Sequence, residues 1–204
     1  MDRFFWRRGS VLPLFLLIAG ITFAEPTVRD VKVSTQTRDG KVWTNLSGVV
    51  EVWTPLPVDR IFAVITDWPS YPRIFSTIEK TEPLGTGTTY LIDEVVKVSV
   101  LGIPIVNRFT LRVEVGSGEL PGSVFLRWTQ DHTDGTIDRL VGGWELEPMT
   151  SKGKAGTLVR YRNASSVVQS LPGQELVVRL FFPGELRNVV SSALAEAQRR
   201  KEKP

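Results

Sequence analysis

The chain of 204 residues contains no cysteine and only one histidine. Without cysteine there is no disulfide framework, no thiolate nucleophile and no cysteine-linked lipid anchor. Zinc sites built from nitrogen and sulfur ligands, and Cys-His catalysis, fall with it. A Ser-His-Asp triad would depend on His132, which lies in the polar stretch Gln130–Gly135, and no G-x-S-x-G motif accompanies it. Gly85-Thr86-Gly87 lacks a third glycine and precedes a strand, so it reads as a turn rather than a phosphate cradle. The residues therefore call for no cofactor and no metal.

A charge excess of one sign is also missing: 25 Lys and Arg face 22 Asp and Glu. Long hydrophobic runs are scarce as well, with VLPLFLLIAGITF near the N-terminus standing apart. Arg3, Arg7 and Arg8 precede that run, and the small residues Thr22 and Ala24 close it, which is the plan of a secretory signal peptide. The run is shorter than the roughly 20 residues a bilayer needs, and Pro13 and Gly20 interrupt it. Residues 1–24 are accordingly expected to be a leader cleaved after Ala24, and the protein to be exported, periplasmic or secreted. The leader holds three Arg and one Asp, so the remainder has a net charge near +1. Bulk charge gives no support to nucleic-acid binding. Residues 25–204 are enough to build one core without disulfides.

Most of what remains reads as strand. Val28–Thr37 alternates, the Asp39-Gly40 pair marks a hairpin, and Val42–Trp53 returns. Val58–Phe75 then breaks the pattern with two short apolar helices separated at Asp67-Trp68-Pro69. Further strands are expected at Ile78–Leu84, Thr88–Leu101, Ile105–Val115, Ser123–Gln130, Thr136–Glu147 and Gly156–Val168, joined by short turns as an antiparallel meander. Leu186, Val189, Val190, Ala193, Leu194 and Ala197 recur at helical spacing. Leu176, Val177, Leu180 and Phe181 form a similar stripe before Pro183, where the helix is expected to kink or split. Arg199-Arg200-Lys201 reads as a solvated helix end. The fold class is α+β: a curved antiparallel sheet, a long C-terminal helix, and two short helices after the first strands.

The stretch Ile61-Phe62 to Ile74-Phe75, with VITDWPSYP between, resembles the opening helices of the START-like superfamily. That group includes lipid-transfer domains, coenzyme-Q-binding proteins and polyketide cyclase/dehydrase-like proteins. Gly142–Pro148 (GGWELEP) and Gly156–Asn163 (GTLVRYRN) look like its paired late strands, and the resemblance spans Val28–Arg200. It implies a helix-grip fold whose sheet and helix enclose a hydrophobic cavity. It does not imply one activity, because the superfamily hosts binders, carriers and enzymes.

Alternation then suggests which side chains face inward. The inward sets are Tyr90, Ile92, Val96, Val98 and Val100; Ile105, Phe109, Leu111, Val113 and Val115; Val124, Leu126 and Trp128; Leu140, Trp144 and Leu146; and Val159 and Tyr161. The same parity brings Glu94, Asp138 and Asn163 to the apolar side, as ion-pair members, as strand ends reaching water or as polar anchors of a pocket. Arg108, Arg112, Arg127, Arg160 and Arg162 collect on the opposite face, with acidic cross-strand neighbours. With the fold that the resemblance implies, the ligand cavity is expected to be lined by Tyr71, Ile74, Phe75, Tyr90, Phe109, Trp128, Trp144, Tyr161, Val177 and Phe181, with Tyr71, Ile74 and Phe75 as a mobile lip. The expected partner is a hydrophobic small molecule such as a lipid or isoprenoid quinone, with transient membrane contact. Two other readings stand beside it: a cyclase or dehydratase using Glu94 or Asp138, and an interaction module with no ligand.

Overall fold

The computed structural model describes residues 25–100, 103–134, 137–169 and 173–201; the expected leader, residues 1–24, lies outside them. Eight strands form one antiparallel sheet: β1 (Thr27–Arg38), β2 (Lys41–Thr54), β3 (Ile78–Pro83), β4 (Thr89–Val100), β5 (Ile103–Ser117), β6 (Val124–Thr133), β7 (Ile137–Ser151) and β8 (Lys154–Val168). Their spatial order is β1-β2-β8-β7-β6-β5-β4-β3. The meander therefore holds from β3 to β8, and the first hairpin adds to the far side of β8. The chain reaches β3 from β2 through three short helices, α1 (Val58–Ile65), a 3-10 turn (Trp68–Ser70) and α2 (Tyr71–Ile74).

Local chemistry accounts for the connections. Asp39 and Gly40 (φ 53° and 70°) and Lys152 and Gly153 (φ 49° and 76°) each supply the paired positive φ of a two-residue hairpin. Strand registers shift between Arg29 and Lys32, Ile78 and Lys80, Thr110 and Leu111, and Ile137 and Arg139. Such bulges bend strands and help a large sheet curl. His132, expected in a turn, belongs to the end of β6 and is exposed.

The C-terminal helix α3 (Gln174–Lys201) lies on the concave face, giving the helix-grip fold. It runs unbroken through Pro183 instead of splitting there. Proline removes the bond to the carbonyl of Arg179, yet packing on both sides of it keeps the helix in one piece. Leu186, Val190, Ala193, Leu194 and Ala197 are all buried against the sheet and α1. A rigid helix presents one face, so this stripe fixes the rotation of the N-terminal half as well. Phe182 consequently turns inward and is buried, while Leu176, Leu180 and Phe181 are exposed. The apolar stripe expected at 176–181 therefore faces largely away from the core.

The approach of α3 to the sheet depends on Gly48 of β2, where an added Cβ would collide with Leu186 Cδ1; Gly184, on the helix itself, has open space around it. Gly48→Ala should cost about 1–3 kcal/mol through overpacking. Gly184→Ala should instead stabilise by about 0.5–1 kcal/mol, through helix propensity. Urea unfolding of the two variants checks the contrast.

Candidate functional site

Between the concave sheet face and the N-terminal half of α3 lies a cavity of about 460 Å³. Its closed end is the core, where Ile92, Val113, Leu126, Leu146 and Val159 are fully buried and α1 packs beneath. Its walls include Phe109, Leu111, Trp128, Leu140, Trp144 and Tyr161 from the sheet, and Val177, Val178, Phe181 and Phe182 from α3. Phe181 is both a lining residue and 64% exposed, which places it at the rim. Side chains of residues 98–103 lie outside the described ones, so the expected positions of Val98 and Val100 do too.

The helical stretch 58–75 supplies one wall. Tyr71 stacks between Trp68 and Phe75, with ring centroids 4.7 Å from each. Its hydroxyl donates to the Ile65 carbonyl at 2.6 Å, and Trp68 Nε1 donates to the Tyr90 hydroxyl at 2.8 Å. Trp68, Tyr71 and Phe75 all line the cavity, but all are buried. The expected lip is thus a fixed wall, and the exposed apolar rim belongs to α3. Ile74 is half-buried at the edge of the core and does not line the cavity. Tyr90 also stays out of it, serving as the partner of Trp68.

Within these walls sits a carboxyl group. Glu94 is 9% exposed, lines the cavity, and has no hydrogen bond or ion pair among the described residues. Burial alone pushes its pKa from 4.5 up to about 7. The Tyr71 and Tyr161 hydroxyls are pushed up too, first by burial and then by the nearby Glu94 charge. Tyr161 stacks on Trp144 at 4.6 Å and on Trp128 at 5.9 Å. Asn163 faces the same space beside Gly48 and Gly142, its cross-strand partners.

Asp138 is a correction. The register shift between Ile137 and Arg139 breaks the alternation of β7, so Ile137 points in and is buried. Asp138 instead pairs with Arg38 at 2.7 Å on the outside. Asn107 and Thr44, which strand parity could have flagged, were missed. Asn107 occupies the inward position between Ile105 and Phe109, and Thr44 the inward row of β2; both are buried in the cavity wall.

Two other charge groups prove structural. On the outer face, Arg160 pairs with Glu51 and Glu147, and Arg162 and Arg127 with Glu145. That face is a ladder of balanced pairs. At the end of α3, Arg200 bonds Glu196, Asp67 (2.6 Å) and the Ala63 carbonyl. Hydrogen bonds from Arg199, then Arg200, pull the Glu196 carboxyl down to about 2. The basic end read as solvated is therefore a clamp between α3 and the helical stretch.

An eight-stranded helix-grip sheet with an internal, largely apolar cavity defines a small-molecule-binding class of α+β protein. Residues 54–193 match the family described as polyketide cyclase / dehydrase and lipid transport, and the chain belongs to that family, within the START-like superfamily. The fold is similar to a STAR-related lipid transfer protein from Xanthomonas axonopodis (14% identity, TM-score 0.62, covering 82% of this chain and 98% of that one). It is also similar to human StAR-related lipid transfer protein 5 (13%, 0.60, 84% and 88%). A third likeness is to the Zhui aromatase/cyclase from a Streptomyces species (22%, 0.53, 79% and 97%). At these identities the likeness concerns the fold. Among curated proteins, none matches.

The Glu94 shift has a definite sign. Between pH 4.5 and 7 the folded state holds a proton that the unfolded chain releases, so stability falls as pH rises through that window. The loss should approach about 3 kcal/mol by pH 8. Glu94→Gln abolishes it: the variant should match the wild type in urea near pH 4.5 and exceed it at pH 8. A difference that does not change with pH would refute the buried neutral carboxyl.

Proposed function

We propose that the protein binds a hydrophobic small molecule in this cavity and exchanges it with a membrane surface in the cell envelope. The observation that carries the reading is the apolar space between sheet and helix itself: at about 460 Å³ it falls within the roughly 300–1,000 Å³ range of small-molecule sites, and aromatic side chains wall it on two sides. Burial of apolar ligand area at about 25 cal/mol per Å² supplies the affinity. Family membership supports the reading at the level of ligand class. Exchange is assigned to the α3 end because Leu176, Leu180 and Phe181 are exposed there, at 63%, 69% and 64%. They form an apolar patch continuous with the cavity through Phe181. Export rests on the leader.

One observation favours a second reading. Glu94, near neutral and beside the Tyr161 hydroxyl, could exchange a proton with a bound carbonyl substrate, as general acid–base chemistry requires. Loss of turnover with retained binding in Glu94→Gln would establish it.

Native mass spectrometry of the protein purified from membranes, followed by organic extraction, should show a stoichiometric apolar adduct. A bare mass that no lipid or quinone panel shifts would overturn the carrier reading. In a transfer assay from phosphatidylcholine and phosphatidylglycerol vesicles, Leu180→Asp with Phe181→Asp should slow uptake at least about tenfold, since a buried charge opposes contact with an apolar phase. Unfolding midpoints should stay near the wild type, because both residues are exposed.

A further inference from the structure

We infer that the cavity selects a hydrophobic amine, bound as its ammonium form with Glu94 as counter-ion and the rings of Tyr71 and Tyr161 beside the charge. This rests on the cavity-binding reading and narrows it.

Glu94 is the acidic group of the inner wall, only 9% exposed. The Thr44, Asn107 and Asn163 oxygens are sealed within that wall, whereas the Glu94 carboxyl keeps surface toward the cavity. No side chain among the described residues bonds to it or pairs with it. Its register partners on the flanking strands are Thr81 of β3 and Phe109 of β5, neither of them charged. A buried carboxyl persists as an anion only beside a cation, and otherwise takes up a proton. The wall provides no such cation, so an ionised Glu94 requires one from the guest.

The rest of the lining acts in the same sense. Its other charged members among the described residues are Lys97 on β4 and Glu185 on α3. Lys97 is engaged by Glu79 of β3 at 3.1 Å, while Glu185 is exposed and has no ion pair among the described residues. The uncompensated charge around the cavity is therefore negative, a field that draws cations and repels anions. Aromatic faces add to it, because the ring quadrupole turns its negative side toward a cation. Tyr71 and Tyr161 stand close enough to Glu94 for its charge to push both hydroxyls up, after burial. The Tyr71 hydroxyl is held by the Ile65 carbonyl, and the Tyr161 ring is stacked on Trp144 and Trp128. Both rings are thus fixed before a ligand arrives.

Other ligand classes fit less well. An anionic head would meet Glu94 and find no free cation among the described lining residues. A neutral alcohol or ketone gains one hydrogen bond and leaves the negative field unanswered. An ammonium meets the carboxylate and the rings together, through a charge-assisted bond of the stronger kind. The apolar walls then take the skeleton.

The test uses one compact skeleton in three forms: 1-adamantanemethylamine, 1-adamantanemethanol and 1-adamantanecarboxylate. Titration calorimetry at pH 7.5 should show the amine binding at least about tenfold tighter than the alcohol, with the carboxylate weakest. In Glu94→Gln that advantage should vanish, while the alcohol stays within about threefold of its wild-type affinity. Proton release gives a readout that needs no variant. At pH 6 the empty Glu94 holds its proton, since burial raises its pKa to about 7. Amine binding should then release up to one proton, measured in buffers of different ionisation enthalpy, and alcohol binding none. A merely structural Glu94 would not move that count. Equal affinities for the three forms, tightest binding of the carboxylate, or an amine preference that survives Glu94→Gln would overturn the inference and leave the cavity reading standing. Failure of all three forms to bind the folded wild type would overturn both.

Discussion

The rotational setting of α3 is the constraint from which the site follows. Leu186, Val190, Ala193 and Ala197 descend into the curled sheet where Gly48 leaves room, and they fix which face the whole helix shows inward. The clamp of Glu196 and Arg200 on Asp67 and the Ala63 carbonyl holds that setting against the helical stretch. Exposed charge pairs contribute little, but this one is shared among several partners and partly shielded, which favours a fixed geometry. With the C-terminal half seated, the N-terminal half spans the cavity and lines it with Val177, Val178 and Phe182. The cavity is the volume that the seated half does not fill.

Polar groups inside this space run against the ordinary economy of a core. Glu94, Asn107, Asn163 and Thr44 each replace an apolar side chain at an inward strand position. Replacement by apolar residues of similar shape would relieve unpaired groups and a carboxyl held near pKa 7. Local violations of folding rules tend to gather at functional sites. These four share one cavity, while Arg160 and Arg162 on the outer face are paired with acidic neighbours.

Much of the fold was legible because its signals are local. Asp39-Gly40 and Lys152-Gly153 announce their hairpins, and the period-2 patterns of β4, β5 and β8 correctly turned Glu94, Phe109 and Tyr161 inward. Parity failed at Asp138 because a bulge adds a residue without any mark in composition, and everything N-terminal to it changes face. Asn107 was legible by the same parity but was passed over as a polar gap in an apolar series. The face of α3 was ambiguous because its first half carries apolar residues all round, and only packing of the second half chooses among them. The clamp was unreadable for another reason: Asp67 and Arg200 are 133 residues apart, and nothing in either local sequence names the other.

That asymmetry of α3 bears on how the site could exchange its contents. The half that builds the core is buried and clamped at its end. The half over the cavity has Leu176, Leu180 and Phe181 in solvent and a carbonyl at Arg179 that Pro183 leaves without its helical donor. Phe182 and Val178 pack it against the core, and polar ties join it to the sheet: Gln174 Nε2 donates to the Val168 carbonyl at 3.5 Å, and Arg179 to the Val33 carbonyl at 3.2 Å. Regions with few buried contacts open at lower free energy than the global fold. Opening confined to residues before Pro183 would expose the cavity while leaving Leu186–Ala197 and the clamp in place. The proline thus marks, within one continuous helix, the boundary between the part that seats the fold and the part that spans the cavity.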